Sequence, residues 1–175
     1  MSYNSKIAAV LGNGPSRKFY DPSKAYDFRM GCNIPWTDVD ATIILDQNII
    51  ELWAKDKTLI KVPAYFSSKA WTAADEFRLR AHLYSNDLFL GLIGKDPDES
   101  SGNVAAKKLV EEGYAEIDIY GCDAYWTEQS RYNTESYTRE FITDPDMANN
   151  SSKWKSLWDN FIANHPEVKF NFIKE

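Results

Sequence analysis

Short apolar runs recur along the chain at 7–11, 27–32, 41–45, 59–62, 88–93, 117–120 and 168–172, and several are continuous rather than alternating. A strand that is apolar at nearly every position is covered on both faces, the environment of a parallel sheet between helices. Helical periodicity fills some of the gaps. Trp154, Leu157, Trp158, Phe161 and Ile162 recur at helical spacing and predict a helix over 152–164, which His165-Pro166 ends. That aromatic stripe reads as core, because a helix lying on a sheet needs such a face. Ser100 or Ser101 caps a helix over 103–112, with Ala106, Leu109 and Val110 on its stripe and Gly113 as its stop. Thr72 and Asp75 have the form of a capping arrangement ahead of Phe77, Leu79, Ala81 and Leu83. The pattern therefore predicts one α/β domain over 1–175, Rossmann-like, with a mainly parallel sheet flanked by helices. The polar, irregular stretch 126–150 follows a strand's carboxyl end, where excursions commonly cover a site, and is expected to be a lid.

Composition narrows the function classes. The chain has 175 residues, 43% hydrophobic and 14% aromatic, enough for one core without covalent staples. Its net charge of −6 argues against a direct grip on nucleic acid, which needs a basic face. Cys32 and Cys122 lie in or beside apolar strands and read as two reduced core thiols rather than a disulfide framework. The first residues lack a hydrophobic signal region and no stretch reaches membrane-spanning length, so a cytoplasmic location and no membrane partner are expected.

The densest chemical signal is Gly12-Asn13-Gly14-Pro15-Ser16, directly after the first apolar run, with Gly31-Cys32-Asn33 after the second. A strand ending in glycines lets backbone amides approach a phosphate or ribose where a Cβ would obstruct. The same pattern also serves as a plain tight turn. Arg17 stands where a dinucleotide fingerprint carries its third glycine, and no Gly-Lys-Ser/Thr follows, so neither a nicotinamide site nor a P-loop is supported. Asp123, in Tyr120-Gly121-Cys122-Asp123, puts a carboxylate at a strand's carboxyl end, where it either works chemically or holds the loop backbone. Asp38-x-Asp40, Asp96-x-Asp98 and Asp144-x-Asp146 match a metal-binding pattern, but with 26 acidic residues such matches arise by chance, and no metal or cofactor is expected. His82 and His165 are better explained by a helix and a helix end than by catalysis.

Taken in order, Gly12-Asn13-Gly14-Pro15-Ser16, Gly31-Cys32-Asn33, Ser100-Ser101-Gly102, Gly113-Tyr114-x-Glu116-Ile117 and Tyr120-Gly121-Cys122-Asp123 resemble the bacterial sialyltransferases of glycosyltransferase family 42. The related pterin-diphosphokinase-like and flagellin-glycosylation proteins share the opening glycine motif. The resemblance implies that Gly12, Asn13, Gly14, Ser16 and Asn33 line the nucleotide of an activated sugar, that Ser101 and Gly102 touch its phosphate or sugar, and that Tyr125 and Tyr132 hold the phosphate. Asp46 stands where the family has an Asn, and Asn149-Asn150-Ser151-Ser152-Lys153 stands where the family places its catalytic His. Asn is not a base at neutral pH. The expectation is thus a metal-independent glycosyltransferase-like protein using a nucleotide-sugar, CMP-linked if it follows the family it resembles, with Asp123 or Asp46 as base. The alternative is a nucleotide-binding or nucleotide-sequestering protein that keeps the pocket without the chemistry.

Overall fold

A computed structural model describes residues 6–95, 99–122 and 151–173. Seven strands form one sheet in the order β5-β4-β3-β2-β1-β6-β7, and every neighbouring pair is parallel. The strands are β1 (Ile7–Leu11), β2 (Phe28–Cys32), β3 (Ala41–Ile44), β4 (Ala64–Phe66), β5 (Phe89–Leu92), β6 (Glu116–Tyr120) and β7 (Lys169–Phe172). The helices are α1 (Gln47–Lys55), α2 (Ser68–Glu76), α3 (Arg80–Ser85), α4 (Ser101–Glu111) and α5 (Ser151–Ala163), and a 3-10 turn spans Pro15–Phe19. The chain builds outward from β1 to β5 on one side, then returns to place β6 and β7 on the other. The strand order therefore reverses between β1 and β6, the kind of point at whose carboxyl ends open α/β sheets bind ligands.

Strand alternation divides the core. Ala8, Val10, Met30, Cys32, Ala41, Ile43, Ile117 and Ile119 share one face with Val104, Ala105, Ala106 and Leu109 of α4 and Trp158 of α5. Ile44, Ala64 and Phe66 face the other way, against Ile49, Ile50 and Trp53 of α1, the alanines of α2 and Leu83 of α3. Helices thus flank both faces, but unevenly. Where Ala9, Leu11 and Tyr120 share that second face, the cover among the described residues is Tyr20, Tyr26, Trp36, Val39 and Ile173, none of them in a helix. Beneath them Asp118 of β6, 1% exposed, takes hydrogen bonds from Lys24 Nζ, Tyr26 Oη and Asn171 Nδ2, and Tyr26 Oη meets Tyr120 Oη at 2.6 Å.

Three local expectations are corrected. No strand forms over 59–62; Ile60 instead plugs the core under α1 and α2, and pairing begins at Pro63, whose carbonyl accepts from Thr42 N before β4. Proline lacks the donor that an interior ladder position requires, so it sits at the strand's start. The helix expected beyond Thr72 and Asp75 is two helices, because α2 starts earlier and the chain breaks at Arg78, whose φ is +59°. Thr72 is interior to α2, and the N-cap is Ser67, whose Oγ accepts from Ala70 N and donates to Leu45 O. Ser67→Ala should therefore lower stability by about 1 kcal/mol, read by urea unfolding. The third correction is an omission: α1, with Ile49, Ile50 and Trp53 buried on one side of Asp46, is not among the expected helices.

Candidate functional site

The loops after β1 and β6 are joined where the strand order reverses. Gly12 N donates to Tyr120 O at 2.8 Å, Gly14 N to Gly121 O at 2.7 Å, and Gly121 N to Ser16 Oγ at 2.8 Å. Gly121 has φ +71°, and a Cβ there would fall 2.1 Å from Gly12 O. Only glycine fits a left-handed position pressed on another backbone. Gly14, by contrast, is extended at φ −72°. Its need for glycine is therefore not conformational.

The loop after β2 joins the same place. Asn13, 3% exposed, donates Nδ2 to Cys32 O at 2.8 Å, tying the β1 loop to the end of β2. Asn33 turns the chain with φ +60°, a conformation Asn tolerates better than most residues. Its N donates to Ile43 O, and its O accepts from Thr42 Oγ1 at 2.7 Å. Ser101 Oγ and Asn33 Oδ1 approach to 3.5 Å, so the first turn of α4 adjoins the loops of β1 and β2. A Cβ at Gly102 would lie 2.5 Å from Cys122 Sγ, the atom that also closes on the Cβ position of Gly12 at 3.0 Å, so a larger residue there would force that side chain to move. Gly12, Asn13, Gly14, Ser16, Asn33, Ser101 and Gly102, scattered in sequence, therefore gather at the carboxyl ends of β1, β2 and β6 and the start of α4. Within that group Asn13 and Ser16 spend hydrogen bonds on holding the loops together.

Helix direction sets the electrostatics. Strands β3, β4 and β5 lead into α1, α2 and α4, so these helices present their amino ends at the carboxyl edge, and none carries an acidic residue in its first turn. Unpaired amides and dipoles there favour anions. Ser100 caps α4 in a reciprocal box with Asn103, whose Oδ1 faces Ser100 while its buried Nδ2 has no hydrogen-bond partner among the described residues. Glu99, just ahead of α4, forms an ion pair with Lys107 at 3.0 Å. Asp46 sits at the α1 N-cap without a side-chain capping bond. It reaches solvent, yet surrounding protein desolvates its carboxyl enough to raise the pKa, against the attraction of Lys69 and Lys95.

The remaining candidates divide by position. Asp123, Tyr125, Tyr132 and the lid expected at 126–150 lie outside the described residues, as do Asp96, Asp98, Asp144 and Asp146. Asp40 accepts a hydrogen bond from Arg29 N, and no group of three or more metal-ligating side chains occurs among the described residues. His82 bonds to Asn86 within the α3 turn, and His165 meets Glu167 at 3.2 Å beyond the end of α5. Cys32 is buried and its thiol is pushed up to about 12 by that burial. A groove of about 700 Å³ lined by Val110, Tyr114, Pro166 and Val168 opens at the amino ends of β6 and β7, away from the glycine loops. It gathers no comparable chemistry. Trp36 was not a sequence candidate, although its Nε1 donates to Gly12 O at 2.9 Å. The Pro35-Trp36 pair directly after the Asn33 turn is the signal that could have marked it.

The fold and these loops define a single parallel α/β domain of Rossmann-like form. Among known proteins, no family model, no curated protein and no solved structure matches the chain. No helix among the described residues is long and apolar enough to cross a membrane.

Proposed function

We propose that the carboxyl edge between β1 and β6 binds a nucleotide or nucleotide-activated sugar, with its phosphate toward the first turn of α4, and that the protein transfers the activated group from it. The observation that carries this reading is the meeting of the Gly12–Gly121 contact with Asn33 and Ser101 at the point where strand order reverses. Open α/β sheets bind ligands at such points. First turns of α2 and α4 without acidic side chains suit the phosphate. The resemblance to family 42 sialyltransferases supplies the sugar-transfer chemistry, and Asp46, at the N-cap of α1 on the carboxyl edge with its carboxyl pKa raised by desolvation, is the candidate base for the acceptor's proton.

Binding is tested by melting shifts across a panel of nucleotides and nucleotide-sugars, since a ligand specific to the folded state must raise stability. Because Gly14 does not need positive φ, Gly14→Val is expected to stay folded and lose the shift; a retained shift places the pocket elsewhere. Turnover is tested with Asp46→Asn, which keeps shape and removes the charge. Donor consumption should fall about a hundredfold while the melting shift persists. Parent-level turnover in Asp46→Asn would exclude that carboxylate as the base.

A second reading has its own observation. Neither described histidine lies among the glycine loops, and the region where the family keeps its catalytic His reads Asn149-Asn150-Ser151. A nucleotide-binding protein without turnover would give the melting shifts and consume no donor.

A further inference from the structure

Arg17 occupies the place of a dinucleotide fingerprint's third glycine. In that fingerprint the glycine lets the first helix pack closely on the first strand. Here β1 leads into a 3-10 turn, and among the described residues connecting segments rather than helices cover that part of the sheet, so a long side chain is accommodated. The Arg17 guanidinium carbon lies 5.4 Å from the centroid of the Trp36 ring. Trp36 is fixed in turn by its 2.9 Å hydrogen bond to Gly12 O and by Tyr20, which meets it edge-on at 5.5 Å between centroids and 84° between planes. The indole is half-buried and lies beside the glycine loop.

These contacts set the indole plane with little freedom. Gly12 separates two environments: its Cβ position faces Gly121 O and Cys122 Sγ, on the way to Gly102 and α4, while its carbonyl faces Trp36. A guanidinium layered on an indole is a surface that planar heterocycles recognise by stacking, and such stacking tolerates different bases. The α4 side of the loop offers amides, and the Trp36 side offers a π-face.

We propose that Arg17 and Trp36 form the base shelf of the carboxyl-edge site, on which the heterocycle of a nucleotide stacks while its phosphate lies toward α4. This rests on the nucleotide reading above and adds where the base sits and how it is recognised. The shelf selects for a planar ring more than for one base.

The test compares inorganic pyrophosphate, ribose 5-phosphate and the common ribonucleoside monophosphates by calorimetric titration of the parent, Trp36→Ala, Trp36→Phe and Arg17→Ala. Nucleoside monophosphates should bind the parent about tenfold or more tighter than ribose 5-phosphate, the scale of one lost stacking contact. Trp36→Ala should lose that excess, Trp36→Phe should keep most of it and Arg17→Ala should lose part, while pyrophosphate binds all four proteins alike. If Trp36→Ala does not fold, Arg17→Ala and Trp36→Phe decide. Equal binding of ribose 5-phosphate and nucleotides by the parent, or a nucleotide excess untouched by every folded variant, overturns the shelf and leaves the carboxyl-edge site standing. Failure of every phosphate-bearing probe to bind the parent overturns both.

Discussion

Gly121→Ala is expected to lose roughly 2–5 kcal/mol of folding stability, combining about 1–2 kcal/mol of left-handed strain with about 1–3 kcal/mol of overpacking. Its Cβ would sit 2.1 Å from Gly12 O and 3.0 Å from Asn13 N, both backbone atoms that cannot rotate away. Relief requires the β1 and β6 loops to part, which breaks the bonds from Gly14 N to Gly121 O and from Gly121 N to Ser16 Oγ. Gly113→Ala is the control, because Gly113 also has positive φ, +94°, but a Cβ there meets nothing within 4 Å. Thermal unfolding should show a drop on the order of 10 °C for Gly121→Ala and a smaller one for Gly113→Ala. Equal losses would mean that the contact between the two loops contributes nothing.

Asp118→Ala should cost roughly 2–3 kcal/mol, below the full penalty for breaking a buried pair because Lys24 is 45% exposed and water can resolvate it. The rest arises from Tyr26 Oη and Asn171 Nδ2, which lose their shared acceptor. Burial alone would raise the Asp118 pKa, but hydrogen bonds from Lys24, Tyr26 and Asn171 outweigh it and hold the carboxyl below its ordinary 3.8. A carboxyl whose pKa is lower in the folded chain stabilises fully above the unfolded value and loses that contribution as pH falls through the folded value. The parent's advantage over Asp118→Asn in urea unfolding should therefore hold at neutral pH and through mild acid, then shrink below about pH 4. An advantage that disappears near pH 6 would implicate another group.

Continuous apolar runs made the parallel sheet legible, because a strand buried on both faces has no polar face to alternate with. Six of the seven expected runs coincide with strands, within the usual uncertainty at element ends. The run at 59–62 misled because local apolarity does not distinguish a strand from a plug such as Ile60 beneath helices. Helix α1 escaped because its apolar side is only two turns long, and the α2–α3 break escaped because Arg78 adopts a left-handed turn without glycine. The Gly12 motif lies at the carboxyl edge of the sheet, and the grouping of its loop with Asn33 and Ser101 follows from strand ends in a parallel sheet being neighbours. Trp36 stayed hidden because nothing local links it to Gly12, 24 residues earlier.

The sequence by itself determined the class of fold and the amino acids capable of close backbone approach, since apolar periodicity and glycine placement are local properties of the chain. Only the tertiary structure decided that Gly121 is confined by Gly12, that Gly102 lies against Cys122, that Asp118 is held by Lys24 and Tyr26, and that Arg17 lies over Trp36. Apart from Arg17–Trp36, which joins the loops of neighbouring β1 and β2, these contacts depend on where the strand order reverses to place β6 beside β1, and that is a property of the whole sheet rather than of any segment.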